Sequence, residues 1–205
     1  MGLQTEITND LLTIEAVQIR TEDYFTWTSG IKSPIYCDNR LTMSYPEVRR
    51  KIATAFVDLM EKLNWQPDSI SGCATAGIPH AAWLADKLNL PMTYVRSSPK
   101  GHGKGNQIEG RIKKGEKVVV IEDLISTGGS SLETVKVLRE AGAEVLGVLA
   151  IFSYGLEKAS ENFAAENVPL STITGYDFLL ELLESENKIT DSEKVELTAW
   201  RDLLK

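Results

Sequence analysis

The 205-residue chain lacks the features that would place it outside the cell or in a membrane. Its two cysteines, Cys37 and Cys73, have no metal-like spacing, so a reducing compartment is expected. No apolar run approaches the ~18–20 residues of a membrane span. The polar, acidic N-terminus also lacks the basic-then-apolar pattern of a secretory signal. We therefore predict a cytoplasmic protein.

Basic residues are in the minority, since 22 lysines and arginines face 29 acidic residues and give a net charge of −7. A negative surface argues against nucleic acid or an anionic membrane as the main partner. Repeats, low-complexity tracts and clear linkers are also lacking. With 42% apolar and 25% charged residues, the chain has a globular composition, and we predict one domain over residues 1–205.

The chain does contain a regular alternation of apolar strands and helices. Pro46 begins an amphipathic helix predicted over residues 46–64. Four apolar segments then alternate with helical patterns, and they read "DSISGC", "LPMTYVR", "VVVIEDL" and "EVLGVLAIFSY". Continuous apolar strands of this kind predict an α/β fold with a central, mostly parallel sheet and helices on both faces.

The two ends of the chain are predicted from caps and composition. We expect a helix over residues 8–20, capped by Thr8 or Asn9, and a C-terminal helix in which Thr190 and Glu193 form a capping box. Between the first helix and Pro46, aromatic residues, glycine and proline predict short strands and turns. Residues 1–45 are therefore expected to form a small hood subdomain.

The stretch "VVVIEDLISTGGSS" (118–131) places two adjacent acids, Glu122 and Asp123, at the end of an apolar strand. In open parallel sheets, ligands bind at this end of the strands. The following small residues lead into a helix, whose N-terminal N–H groups suit a phosphate. The two acids would repel a phosphate but can accept hydrogen bonds from hydroxyls or approach Mg²⁺. A sugar phosphate meets both demands.

A plainer interpretation of this stretch is a strand end with surface acids, followed by an ordinary helix cap and a glycine turn. For Ser126 or Gly128 taken singly we favour that interpretation, but not for the whole run E-D-x-x-S-T-G-G-S. A Walker-type phosphate loop is excluded, because no Gly-Lys-Ser/Thr follows.

A long polar loop over residues 94–110 precedes the acidic strand. It holds Arg96, Lys100, His102 and Lys104 among several glycines, in an otherwise acidic protein. Charge runs of this kind are usually solvated, but loops of this length are uncommon unless they are functional or disordered. Because the loop lies directly before a predicted phosphate site, we interpret it as a lid that closes on a polyanion and excludes water.

These residues resemble known proteins. The run "VVVIEDLISTGGSS" is similar to the phosphoribosyl pyrophosphate (PRPP) motif of the type I phosphoribosyltransferases, and R-x-x-x-K-x-H-G resembles the loop of the orotate phosphoribosyltransferases. The segment "FTWTSGIKSPIYCDNRL" (25–41) is similar to the N-terminal, orotate-side segment of that family. The resemblance covers about residues 15–155. It implies the type I phosphoribosyltransferase fold and the formation of orotidine 5′-monophosphate from orotate and PRPP in pyrimidine biosynthesis.

The resemblance also implies roles for individual residues. It assigns to PRPP Arg96, Lys100, His102, Glu122, Asp123, Leu124, Ile125, Ser126, Thr127, Gly128, Gly129 and Ser130. It assigns to orotate Lys32, Tyr36, Cys37 and Ser126. Lys100 and His102 are the implied catalytic pair. Mg²⁺ is the implied cofactor, held mainly through PRPP and not by direct side-chain ligands. The implied assembly is a homodimer in which loop 96–110 reaches the partner's active site.

The chain departs from the family pattern at three positions. Many family members carry a basic residue where this chain has Thr28, Ala76 and Ser97. Side-chain roles at these positions are therefore not transferred. Either backbone N–H groups and Mg²⁺ carry more of the charge, or the affinity is lower.

Two interpretations stay open for the small-residue strand end "SGCATAGIP" (71–79). Its backbone could cradle pyrophosphate, as in the family, or Gly72 and Gly77 could serve close packing of a helix on the sheet. We expect His80, which lies among alanines in the following helix, to be packed and not catalytic.

Two other functions remain as alternatives. One is a phosphoribosyltransferase for another base, such as a purine, although the K-x-H-G loop and the N-terminal segment favour orotate. The other is a non-catalytic regulator that senses PRPP or a nucleotide on the same fold. A regulator that binds nucleic acid would be expected to carry a basic face, and this acidic chain shows none.

Overall fold

The computed structural model describes residues 2–26, 30, 32–98 and 107–204. Its N-terminal elements are α1 (Leu3–Thr13), β1 (Val17–Ile19), β2 (Phe25–Thr26), β3 (Lys32–Ser33), β4 (Ile35–Cys37), a 3₁₀ helix (Asn39–Ser44) and α2 (Pro46–Lys62). The following elements are β5 (Ser69–Cys73), α3 (Gly77–Leu88), β6 (Met92–Val95), β7 (Ile108–Glu109), β8 (Lys117–Ile125), α4 (Gly129–Glu140), β9 (Glu144–Ser153), α5 (Glu157–Ala165), β10 (Leu170–Gly175), α6 (Tyr176–Ser185) and α7 (Asp191–Asp202).

Six strands form the central sheet, in the order β10-β9-β8-β5-β6-β7. Every neighbouring pair is parallel except β6 and β7, which form an antiparallel edge. Successive residues of β8 point to opposite faces, as the pleat requires. Val119 and Ile121 join the apolar cluster under α1, α2, α3, α6 and α7, whereas Val118 and Val120 join the cluster under α4 and α5. The predicted mostly parallel sheet with helices on both faces is confirmed.

The N-terminal region lies outside the six-stranded sheet. Strand β1 pairs with β4 and β2 pairs with β3, so the predicted short strands form two separate antiparallel pairs. Ile7 and Leu11 of α1 are buried in the same apolar cluster as α2 and the sheet. This region therefore shares the main core, and its behaviour as a hood subdomain stays a prediction.

The first helix differs from the prediction. It begins at Leu3 with Gly2 as its N-cap and ends at Thr13, so the predicted span of 8–20 was wrong. Thr8 is not a cap but an interior residue, whose hydroxyl donates to the Gln4 carbonyl at 2.8 Å and lies 2.7 Å from the Thr174 hydroxyl. Tertiary contact with β10 thus buries a residue type that usually caps helices.

Three elements have little sequence signal. Strand β10 mixes serine and threonine with only one isoleucine, and α6 follows it with no intervening loop. The two residues of β7 lie inside the predicted polar loop, where Ile108 is buried against the sheet.

By contrast, α2 begins at Pro46, and Thr190 and Glu193 form the capping box of α7 as predicted. No helix within the described ranges is both long and apolar enough for a bilayer span.

Candidate active site

The two acids lie at the C-terminal end of β8, where its two neighbouring strands differ in length. Strand β5 pairs with β8 only as far as Ile121, whereas β9 continues to pair with it up to Ile125. From Glu122 onward, the β5 side of β8 has no strand partner. Because β8 continues as regular strand while β5 has ended, Glu122 and Asp123 lie at the rim of a cleft above β5.

Glu122 is held by hydroxyl groups of the next helix. Only 5% of it is exposed, and its Oε2 accepts hydrogen bonds from the hydroxyls of Ser130 at 3.0 Å and Ser131 at 3.4 Å. Its Oε1 accepts from the Asp123 N–H at 3.1 Å. These contacts fix the carboxyl group without supplying a positive charge.

Burial therefore sets the protonation of the pair. It raises the pKa of Glu122 to about 8, and the neighbouring Asp123 carboxylate adds to the increase. Burial also raises the pKa of Asp123. Two adjacent carboxyl groups, one buried and one partly buried, retain a proton near neutral pH, because two neighbouring negative charges are costly to desolvate.

The segment after β8 forms a bare N-terminus on α4. Gly128 has φ +81°, and a Cβ built there would lie 2.4 Å from Cε2 of Phe163. The Thr127 carbonyl is tied back by Nδ2 of Asn162 at 3.0 Å. Gly129 faces open space. Helix α5 thus supports the loop from behind while its other side, with the first N–H groups of α4, remains open to an anion.

The residues at the end of β5 are small, and they lie beside the end of β8. A Cβ on Gly77 would lie only 2.3 Å from the carbonyl oxygen of Ile121, and one on Gly72 would lie 2.9 Å from Cα of Ile78. Close packing of α3 on the sheet is therefore confirmed for both glycines. The intervening loop contains a cis peptide between Ala74 and Thr75. Its role as a pyrophosphate cradle stays a prediction.

A cleft of about 610 Å³ joins these parts. Its lining comes from three segments of the chain and consists of Cys37, Asp38, Arg40, Ala74, Thr75, Ala76, Glu122, Asp123, Leu124 and Ser130. The predicted acids, Ser130 of the phosphate loop and three residues of the orotate-side segment therefore meet at one site.

Asp38 and Arg40 also line this cleft, although the sequence did not single them out. Nε and Nη2 of Arg40 donate to the two carboxylate oxygens of Asp38 at 2.6 and 2.8 Å. This contact lowers the pKa of Asp38. Among the described side chains that line the cleft, Arg40 is the only cation. Its only signal in the sequence was its position shortly after Cys37.

Of the other residues predicted to contact orotate, Cys37 lines the cleft, whereas Tyr36 and Lys32 are not part of its lining. Burial raises the pKa of the Cys37 thiol, and the nearby Asp123 adds to the increase, so this cysteine is not a thiolate. Tyr36 is 40% exposed and lies beside the ring of Phe25. Nζ of Lys32 donates to the Thr26 hydroxyl at 2.7 Å, within the β2–β3 pair. Their contacts with orotate stay predictions.

The remaining residues predicted to bind PRPP lie either in the loop before α4 or at the end of β8. Ser126, Thr127, Gly128 and Gly129 lie in the loop described above. The Ile125 side chain is fully buried, and its carbonyl oxygen accepts from the Tyr154 N–H at 3.0 Å. Ile125 also pairs with Ser153 in the β8–β9 ladder, so both its side chain and its main chain are engaged within the protein, and its contact with PRPP stays a prediction.

Arg96 lies at the neck of the β6–β7 hairpin and does not line the cleft. Its backbone N–H donates to the Gln107 carbonyl, and Nε2 of Gln107 returns a bond to the Arg96 carbonyl at 2.8 Å. Its guanidinium lies 3.7 Å from the Glu109 carboxylate. Residues 96–98 and 107–110 are the described parts of the predicted lid, whereas Lys100 and His102 lie outside the described residues, as does Thr28.

Comparison with known proteins identifies this arrangement. The profile of the phosphoribosyl transferase domain family matches residues 44–172, from the end of the 3₁₀ helix into β10. The residues that line the cleft fall within this range, apart from Cys37, Asp38 and Arg40. The fold and the site thus define a phosphoribosyltransferase.

Full-length relatives narrow the class. An orotate phosphoribosyltransferase of Fusobacterium nucleatum is 58% identical over 98% of this chain and 97% of its own length, and one of Oceanobacillus iheyensis is 57% identical over 98% and 100%. The crystal structure of the Aeropyrum pernix orotate phosphoribosyltransferase, 30% identical, superimposes with a TM-score of 0.76 over 90% of this chain and 99% of that one. The chain belongs to the orotate phosphoribosyltransferase family.

Proposed function

We propose that this protein transfers the 5-phosphoribosyl group of PRPP to orotate, giving orotidine 5′-monophosphate and pyrophosphate. The observation that carries the proposal is the convergence of the acids of β8, the bare start of α4 and the small-residue end of β5 on one cleft. The membership in the family supports orotate as the base.

The ribose 5-phosphate part of PRPP fits the β8–α4 side. The ribose hydroxyls donate to the carboxylates of Glu122 and Asp123, and the 5′-phosphate accepts from the N–H groups between Ser126 and Ser130. Binding therefore favours the ionised form of an acid pair that retains a proton in the free protein. We expect PRPP binding to release protons near neutral pH.

The pyrophosphate part fits the end of β5. Ala74, Thr75 and Ala76 line this side of the cleft without a cation, so backbone N–H groups are the available donors. The reaction breaks the bond from C1′ to the pyrophosphate oxygen while a ring nitrogen of orotate forms a bond to C1′. The electron pair of the broken bond leaves with pyrophosphate, the proton of the ring nitrogen is released to pyrophosphate or water, and no protein nucleophile is required.

The lid is proposed to complete the site. Lys100 and His102, which lie in sequence between Arg96 and Gln107, would stabilise the charge that builds on the leaving pyrophosphate. We further propose a homodimer in which this loop closes over the partner's cleft. The position of Arg96 away from its own cleft supports this arrangement.

Mg²⁺ is proposed as the cofactor, and the donors of the cleft fit it. Mg²⁺ prefers oxygen ligands and keeps several of its waters, so it would be held mainly through the oxygens of PRPP, and the carboxylates of Glu122 and Asp123 would contact it through water. When bound, it would neutralise charge on the pyrophosphate. Among the described residues, no group of three or more histidine, cysteine or acidic side chains forms a metal cage.

Cytoplasmic location is part of the proposal. Both cysteines are free, which supports a reducing compartment.

A substrate panel tests the function. The protein is incubated with PRPP, Mg²⁺ and one base at a time, orotate, adenine, guanine or uracil, and nucleotide formation is followed. Turnover with orotate alone is the expected result. Turnover with a purine would favour the alternative transferase, and binding of PRPP without turnover of any base would favour a regulator.

A further inference from the structure

A network of buried, hydrogen-bonded polar groups links the two sides of the cleft, which are the end of β8 and the start of α3. Nδ2 of Asn39 donates to the Asp123 carbonyl oxygen at 2.7 Å. The Thr42 hydroxyl donates to the Asn39 carbonyl oxygen at 2.5 Å and lies 3.3 Å from Nε2 of His80. Asn39 and Thr42 belong to the 3₁₀ helix, and His80 lies in the first turn of α3, directly after the loop of Ala74 to Ala76.

The bonding of Thr42 fixes the protonation of His80. Thr42 has one hydroxyl proton, which it gives to Asn39, so it can only accept from His80. Nε2 of His80 therefore carries the hydrogen, and Nδ1 is an unprotonated acceptor. Burial lowers the pKa of His80 to about 4, so the ring is neutral near pH 7. The prediction that His80 is packed and not catalytic agrees with its 2% exposure.

This network of buried polar groups does not stabilise the fold. Asn39 and Thr42 are fully buried, and Oδ1 of Asn39 and Nδ1 of His80 have no hydrogen-bond partner among the described residues. Buried polar atoms without partners oppose folding, whereas apolar side chains of similar shape would not. The arrangement therefore requires an explanation other than core packing.

We propose that Asn39 is a positioning residue for the phosphoribosyl transfer, which holds the main chain of Asp123 so that the acid pair faces the ribose. Through Thr42 and His80, the same network fixes this acid pair relative to the start of α3 and hence to the proposed pyrophosphate loop. It thereby sets the spacing between the two halves of the PRPP site. The inference rests on the proposed function and names no new contact with substrate.

Calorimetric titrations of Asn39→Ala with separate halves of the substrate test the inference. We expect the Kd of ribose 5-phosphate to rise about tenfold, because the acid pair loses its support, while the Kd of pyrophosphate with Mg²⁺ stays within about twofold. A purely structural role would change both affinities together or neither. Ser44→Ala, an exposed change on the same 3₁₀ helix, is the matched control and should change neither affinity.

Thr42→Val provides a second variant, which keeps the bond from Asn39 to Asp123 but breaks the link to α3. We expect normal affinities for ribose 5-phosphate and for pyrophosphate, and about fivefold weaker binding of intact PRPP, because only PRPP senses the spacing. If Asn39→Ala does not fold, Asn39→Leu, which removes the Nδ2 donor but keeps a similar volume, replaces it in the same titrations.

Unchanged ribose 5-phosphate affinity in a folded Asn39→Ala, or unchanged PRPP affinity in Thr42→Val, would overturn the inference. These titrations contain no base and no turnover. Failure of the inference is thus separate from failure of the proposed function, which would appear in the substrate panel as no turnover of orotate by the wild-type protein.

Discussion

Strands β5 and β8 lie side by side and parallel in the sheet, and each leads through a short loop into a helix, yet their ends are built differently. The end of β8 presents two carboxyl groups and a glycine with positive φ. The end of β5 presents only small side chains, and its Gly77 packs against the carbonyl of Ile121 in β8 itself.

The difference fits the proposal that one cleft binds two kinds of group. Neutral hydroxyls would be bound by side chains with fixed acceptors, whereas a pyrophosphate beside two acids would best be bound by backbone N–H groups without further side chains. The absence of a side chain on Gly77 is also what allows α3 to approach β8. Without this approach, the two strand ends would not share a cleft.

The largest effect is expected from Gly77→Ala. A Cβ there would lie 2.3 Å from the carbonyl oxygen of Ile121, which is rigid strand backbone. Helix α3 must move away from β8, and we expect the free energy of unfolding to fall by ~3 kcal/mol or more. Urea denaturation measures this loss. A change below about 1 kcal/mol would show that the two strand ends are not packed as described.

Gly128→Ala and Gly129→Ala form a matched pair in the phosphate loop. At Gly128, positive φ and contact with Phe163 are both unfavourable, and we expect a loss of about 2–3 kcal/mol and a raised KM for PRPP. At Gly129, a Cβ faces open space, and stability should change by less than about 0.5 kcal/mol. Equal losses in the two variants would refute the role of Phe163 as the support of this loop.

Glu122→Gln tests the acid pair through its pH dependence. The pKa of Glu122 is raised in the folded state to about 8, so its contribution to stability is complete below its ordinary value of 4.5 and is lost as pH rises through about 8. The wild type should therefore lose stability relative to the variant between pH 4.5 and 8. Over the same pH range, the affinity of the wild type for PRPP should increase, since only ionised carboxylates accept from both ribose hydroxyls.

The variant should also show kcat/KM for PRPP about 10- to 100-fold lower at pH 8, which corresponds to the loss of a charge-assisted hydrogen bond. Steady-state kinetics and thermal denaturation across this pH range provide both measurements. Parallel pH profiles of wild type and variant would contradict the shifted pKa of Glu122.

The smallest effect is expected from Ala76→Lys, which adds a cation to the end of β5. Near the surface such a charge contributes about 0.5–1 kcal/mol, so KM for PRPP should fall a few-fold, and less at high salt. Ala76→Gln, a polar change without charge, is the control. If both variants raise KM equally, this strand end has no room for a side chain beside pyrophosphate.

Local patterns made some of this site predictable. The apolar run that ends in Glu122 and Asp123 is continuous in sequence, so its strand and the helix after Gly128 follow from neighbouring residues alone. The capping box at Thr190 and the proline at the start of α2 are equally local signals, and all of these were confirmed.

Other parts depend on contacts between distant residues. Phe163 supports Gly128 from 35 positions away, and Asn39 contacts Asp123 from 84 positions away. No periodicity marks Asn39 or Arg40, which lie on a short 3₁₀ helix. Strand β10 and α6 were not predicted, because the sequence between them contains no loop that would separate the two patterns.

The central claim is that the two strand ends bind different halves of PRPP. It is tested most directly by titrating ribose 5-phosphate into the protein with and without saturating pyrophosphate and Mg²⁺. Two separate subsites predict that both ligands bind together, with a ribose 5-phosphate Kd that changes by no more than a few-fold. Competitive displacement of ribose 5-phosphate by pyrophosphate would contradict the account.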